Sequence, residues 1–274
     1  MKWHQRFFWL LILFLPTQLG YHFWPEWAMV LGRRVDYLAP TFYLTDILVL
    51  FTVGIYSISN AQFPISKKKF LFLIPIVLFV VLNVSVAANH FVAIYKWLKV
   101  LEFVALGWYI VRSKPKFSFI ITPLSVGVLY SSVLAIAQFF LQHSVGGPLW
   151  WLGERTFTVD TPGIARIVLG GRELLRPYAT FPHPNVLGGF LAAVLPLIAL
   201  RYLSILGNLK KKIKLCFGIV LAVGVIALLL TFSRSAVVVG CLGIVLAFRK
   251  KLFLSIAVVI AMSMVFLNFQ NESI

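Results

Sequence analysis

Carboxylates are scarce in this sequence of 274 residues, where only eight Asp and Glu stand against 25 Lys and Arg. Charge of either sign is also thin, at 12% of residues where a soluble domain has about 25%. With 61% hydrophobic residues, that shortage excludes an ordinary water-soluble domain and makes lipid the expected solvent. The two cysteines, Cys216 and Cys241, are too few for a disulfide scaffold. Both lie in apolar stretches, where a thiol serves as a small hydrophobic filler. There is no metal-spaced set of His or Cys, no phosphate-binding Gly loop and no Gly-x-Ser-x-Gly elbow, so neither a metal nor a cofactor is expected.

The net charge of +17 raises nucleic acid as a partner, because clustered Lys and Arg release counterions when they neutralise phosphates. These basic residues sit mostly between apolar runs, where they orient a membrane protein instead, and no nucleic-acid partner is expected. The start resembles a signal peptide, with Lys2 and Arg6 ahead of an apolar run at 7–15. Thr17-Gln18-Leu19-Gly20 lacks the small-residue cleavage pattern, so an uncleaved first span is expected, with Trp24 and Trp27 near the far interface.

The expected fold is all-α, a polytopic helical membrane protein of about nine transmembrane helices forming one bundle over 1–274. The spans run roughly 5–22, 42–60, 70–88, 92–111, 118–141, 186–204, 215–232, 236–248 and 252–268. An inside amino terminus places Lys67, Lys68 and Lys69, then Arg112, Lys114 and Lys116, on the inner side. Arg201, Lys210, Lys211, Lys212 and Lys214, and then Arg249, Lys250 and Lys251, join them there. The outer segments hold Arg33, Arg34, Arg155, Arg166, Arg172, Arg176 and Arg234, and the positive-inside rule favours this orientation. A multi-pass protein of the cytoplasmic membrane with its carboxy terminus outside follows. Every basic residue of the outer set is Arg, whose planar fork suits phosphate; retention of Arg at interfaces is the alternative.

A long outer loop at 142–185 carries Gly146-Gly147-Pro148, Trp150-Trp151 and much of the outer charge. Its alternating stretch at 155–159 and apolar stretch at 165–169 suit either short strands or an interfacial helix. The loop ends in Arg176-Pro177-Tyr178-Ala179-Thr180-Phe181-Pro182-His183-Pro184-Asn185, and its prolines forbid helix until the sixth span begins. Asn185 is positioned to cap that span, while Gly188 and Gly189 permit close approach of another helix. A helix start facing an outer cavity also favours an anion. His183 reads either as a base or as a structural hydrogen-bonding imidazole.

At the next outer turn, Thr231-Phe232-Ser233-Arg234-Ser235-Ala236 sets one cation among hydroxyls. Arg234 either snorkels to headgroups or contacts a phosphate, with Ser233 and Ser235 able to donate beside it. In the fourth span Lys96, Lys99 and Glu102 recur every three residues and share a helix face, so they face protein or a cavity. Lys99 with Glu102 reads as an internal ion pair. Asp46 is a partner for Lys96 or Arg234, or else a helix-start carboxylate.

Two of these segments together resemble the O-antigen ligase and polymerase family of bacterial envelope enzymes. Residues 176–189 are similar to its Arg-x-x-(Gly/Ala)-Thr-Phe-x-His-Pro-Asn segment before a span, and 228–236 to its Leu-Thr-x-Ser-Arg-(Gly/Ser)-Ala turn. The resemblance implies a membrane glycosyltransferase without a cofactor, acting on an undecaprenyl-diphosphate-linked glycan at the outer face of the cytoplasmic membrane. It further implies that a glycan acceptor's hydroxyl attacks the donor's first sugar while Arg176 and Arg234 steady the leaving diphosphate. Lys96, Lys99, Asp46, Ser233 and Asn185 are then supporting residues. The family places a large outer loop with a catalytic His, and further spans, beyond the region matched here, so the carboxy-terminal part of the family fold is expected to be missing after 268. His183 remains a weak candidate for the base. A lipid-linked oligosaccharide flippase and a non-catalytic membrane assembly subunit are the alternatives, and the loop-end motif favours the enzyme.

Overall fold

The computed structural model describes residues 1–60, 67–204 and 211–248, the backbone alone over 67–73. Apolar runs become helices because a helix satisfies its own backbone hydrogen bonds, the condition a lipid solvent imposes. They are α1 (Trp3–Leu13), α2 (Leu44–Ser59), α3 (Lys67–Val86), α4 (His90–Ser113), α5 (Phe117–Leu141), α6 (Pro184–Ser204), α7 (Lys211–Leu230) and α8 (Arg234–Phe248). The expected ninth span at 252–268, with Lys210 and the basic cluster Arg249, Lys250 and Lys251, lies outside the described residues.

The chain is mostly helical, and among the described residues three helices, α5, α6 and α7, are long and apolar enough to cross a membrane. The expected count of about nine transmembrane helices is therefore not carried by the described residues. The reasons are physical. The expected first span stops after 11 residues as α1, because Pro16 and then a strand pairing at Gly20 interrupt it. With 16 residues, α2 falls short of the roughly 20 that cover a bilayer core, and α8 is described over 15 residues, up to Phe248. Lys96, Lys99, Glu102 and Arg112 make α4 too charged for a simple span. Even so, α3 and α4 leave large apolar side chains in the open, with Leu82 63%, Phe103 70% and Val111 70% exposed. Such continuous apolar surface has a stable partner in lipid and none in water, so the coarse reading of a helical membrane protein stands.

Among the described residues, six short strands form three antiparallel pairs. In the first, β1 (Gly20–His22) pairs antiparallel with β4 (Thr41–Tyr43), and within the segment they enclose, β2 (Met29–Val30) pairs with β3 (Arg33–Arg34). In the long loop, β5 (Arg166–Leu169) pairs with β6 (Arg172–Leu175) across Gly170 and Gly171, which hold φ of 55° and 74°. A two-residue turn with both φ positive matches the twist of the strands it joins, which is why two glycines stand there. Of the two stretches open to strand or helix, a strand takes 166–169, and 155–159 contributes a single bridge at Thr158.

The chain divides into two units. Among the described residues, the first contains Met1–Leu11 and 20–115, and the second contains Ile12–Leu19 and those from Lys116 onward. Within the second, α6 packs along α8 and α7, and α5 packs along α7 and α6. Small residues allow it. A Cβ added to Gly188 would lie 2.9 Å from Ala236 Cβ, and one added to Gly240 would lie 3.1 Å from Ala192 Cα. Gly189, expected to share this role, has nothing within 4 Å of such a Cβ.

Candidate functional site

The long loop of the second unit is organised around two buried polar side chains that nothing in the sequence pattern had marked. Gln138, fully buried near the end of α5, accepts the backbone N–H groups of Tyr178 (3.0 Å) and Ala179 (2.7 Å). Its amide donates to Ala179 O (3.0 Å) and Glu154 Oε1 (2.8 Å). Glu154 in turn accepts the N–H groups of Val145 and Gly146, each at 2.8 Å. One glutamine thereby pins the turn at 178–179, where Ala179 holds a left-handed φ of 50°. The Thr180 hydroxyl donates to Pro16 O, and Tyr178 OH accepts Ala165 N at 2.8 Å. Burial without these bonds would cost about 1–3 kcal/mol for each orphaned group.

This framework sets the expected site residues in place. Arg176 Nε donates to Thr231 O (2.8 Å) and its Nη2 donates to Asn185 Oδ1 (2.5 Å). The loop end and the α7–α8 turn are thus joined at one end of the second unit, and the Phe139 and Phe232 rings, 5.9 Å apart, lie at the same end. Two of the guanidinium's N–H groups are used in this way, leaving the rest for a ligand. Burial lowers the Arg176 pKa from its ordinary value and Tyr178 opposes the shift; an arginine keeps its charge regardless. Arg234 begins α8, is exposed and has no hydrogen bond or ion pair among the described residues.

Asn185 does not cap α6 with its side chain, as its position had suggested. Arg176 takes that oxygen instead, and the backbone N–H of Asn185 donates to His183 Nδ1 (3.1 Å). His183 also accepts Val186 N (2.9 Å) and Leu187 N (3.2 Å) at its carbonyl, so it serves as the residue that opens the helix. Ser233, expected as a ligand donor, is 5% exposed and packs where α6 passes at Gly188. Arg155 was read only as part of the outer charge. It lies 5.5 Å from the Tyr178 ring centroid and its Nη2 donates to Pro182 O (2.6 Å).

A separate constellation occupies the first unit. Lys99 Nζ bonds Asp46 Oδ2 and lies 3.3 Å from Glu102 Oε2. Asp46 also accepts Tyr43 N (2.8 Å) at the start of α2, so it is both a helix-start carboxylate and an ion-pair partner. That partner is Lys99; Lys96 is exposed and lies 5.3 Å from the Tyr95 ring centroid. A cavity of about 630 Å³ adjoins this pair, lined by Phe42, Val49, Leu50, Leu98, Leu101 and Ala105 among others.

Among the described residues no three His, Cys, Asp or Glu side chains come together as a metal site. Both cysteines are free thiols. No known family, curated protein or solved structure matches the chain.

Proposed function

We propose that this chain is an O-antigen ligase-like glycosyltransferase that binds the diphosphate of an undecaprenyl-diphosphate-linked glycan on the outer face of the cytoplasmic membrane. One observation carries the reading: Arg176 bonds Thr231 O, so the two segments that resemble the family meet, with Arg234 three residues further along. Ala179 adds support, because the position at which the family pattern has Gly or Ala holds a left-handed φ here. In the reaction proposed, an acceptor hydroxyl attacks the donor's anomeric carbon. The C–O bond to the diphosphate breaks, the diphosphate departs with the electron pair, and the hydroxyl's proton passes to water or to the departing diphosphate. Charge grows on that leaving group, and a preorganised cation stabilises it. Arg234 offers its whole fork, whereas Arg176 both braces the two segments and offers its remaining N–H groups. Orientation with the amino terminus inside, the expected further spans and the identity of glycan and acceptor belong to this proposal.

Affinity for undecaprenyl diphosphate in nanodiscs tests it. Loss of either arginine should weaken binding roughly ten- to a hundredfold, at about 1.5–3 kcal/mol per charge-assisted bond. Arg176→Ala, Arg234→Ala and the double change should show non-additive losses if they serve one site. Wild-type affinity in both single variants sinks the proposal.

A second reading, a lipid-linked oligosaccharide flippase, draws on the Asp46–Lys99–Glu102 group and the cavity beside it, since charge within a span marks transport paths. Transbilayer movement of a labelled lipid diphosphate in proteoliposomes, without glycan transfer, would favour it.

A further inference from the structure

Three groups converge around the Tyr178 ring. The Arg155 guanidinium sits over its face at 5.5 Å, the His183 ring meets it edge-on with centroids 6.0 Å apart, and Arg176 lies two residues earlier. The His183 ring is not neutral ground for a proton. Its Nδ1 already accepts Asn185 N–H, so the ring proton of the neutral form lies on Nε2, which is then a donor. The charged or titratable groups facing it are Arg155, Arg176 and Tyr178, and both arginines oppose a second positive charge; burial, the largest influence, lowers its pKa further. Glu154, next to Arg155 in sequence, directs its carboxylate to Val145 N, Gly146 N and Gln138 Nε2.

A base must be able to take up a proton, and this imidazole is arranged to resist one. Resting on the diphosphate site proposed above, we infer that Arg155 is a third cation of that site and that His183 is a neutral Nε2–H donor to the same anion, not a base. Arg155 is held for this purpose by its bond to Pro182 O and its stacking on Tyr178, while its other N–H groups stay available. The ligand chemistry is a phosphate or diphosphate oxygen, supplied by a lipid headgroup or by free pyrophosphate.

The test uses the full chain in nanodiscs with ¹⁵N-labelled histidine, the His183 signal being assigned by its loss in His183→Gln. Two probes are added separately: undecaprenyl diphosphate in the bilayer and inorganic pyrophosphate in the water. Without ligand the ring should be neutral and protonated on Nε2; with ligand the Nε2 signal should move while the ring stays neutral. Movement with the lipid alone identifies the headgroup as source, and equal movement with pyrophosphate identifies the free anion. Arg155→Gln should lower the affinity of the active probe about tenfold, and Arg155→Lys should recover part of it. A proton on Nδ1, proton uptake by the ring on binding, or unchanged affinity in Arg155→Gln overturns the inference. Lipid binding that depends on Arg176 and Arg234 but leaves His183 and Arg155 →Gln unaffected removes the inference and keeps the proposed function. A response to pyrophosphate with no binding of the lipid does the reverse, and silence with both probes removes both.

Discussion

In the second unit Gly188, Gly224, Gly240 and Gly243 all sit where an added Cβ would come within 3.0 Å of a neighbouring side chain, whereas Gly54 and Gly107 of the first unit face open space. The buried polar groups differ in the same direction. Gln138 and Glu154 are closed into one network of backbone and side-chain bonds, while in the first unit the polar contacts are separate: one lysine between two carboxylates, His4 with Tyr109, and Thr41 with His22. The difference teaches how helices associate when lipid is as apolar as the side chains. Close backbone approach and polar closure then replace the hydrophobic drive as sources of specificity. Where both come together a loop can be held rigidly enough to place arginines; where the close glycine approach is missing, apolar helix faces such as those of α3 and α4 stay available to lipid.

The largest effect should come from opening the network. Gln138→Leu strands Tyr178 N, Ala179 N and Ala179 O without partners, and about 3–5 kcal/mol of stability should be lost. Thermal unfolding in detergent together with proteolysis of the 142–183 segment measures this. A melting point equal to wild type would mean that the loop is held by other means.

The glycines come next. Gly188→Ala and Gly243→Ala should each cost about 1–3 kcal/mol by overpacking, whereas Gly54→Ala and Gly107→Ala should be neutral or stabilising by up to about 1 kcal/mol. Equal responses in the two sets, by thermal unfolding, would erase the distinction between the units.

Within the first unit, Lys99→Met leaves two carboxylates facing each other. Removing one partner of a fully buried pair costs about 3–5 kcal/mol, and at 22% side-chain exposure about 1–3 kcal/mol is expected. Lys96→Met, on the exposed side of the same helix, should stay within about 0.5 kcal/mol. If the two lysine variants unfold alike, the ion pair is not what joins α2 to α4.

The smallest effect concerns pH. Because His183 has a lowered pKa in the fold, the unfolded chain takes up its proton first as pH falls. Stability is thus unaffected above about pH 7 and declines as pH drops below the ordinary imidazole value of about 6.5. His183→Gln should flatten that part of the stability curve measured by thermal unfolding. A wild-type curve that rises toward acid would reverse the sign and mark the ring as one that welcomes charge.

The sequence by itself determined where the helices lie, because an apolar run long enough to need lipid is a local property. The run at 42–60 became Leu44–Ser59, the one at 118–141 became Phe117–Leu141, and the one at 186–204 became Pro184–Ser204. It also marked Arg176, Gly188 and the 231–236 turn, since prolines, glycines and a lone arginine between apolar runs stand out by composition. The β5–β6 hairpin was within reach too, as Gly170-Gly171 is a two-residue turn signal. Only the tertiary structure decided that Asp46 takes Lys99, that Arg176 takes Asn185 and Thr231, and that Gln138 reaches a turn 40 residues away. Periodicity reports which face of a helix is apolar, but a hydrogen-bond partner is chosen by distance and angle between segments that no local pattern relates. For the same reason no local pattern showed which ring nitrogen of His183 accepts a hydrogen bond, and the bond from Asn185 N–H identifies it as Nδ1.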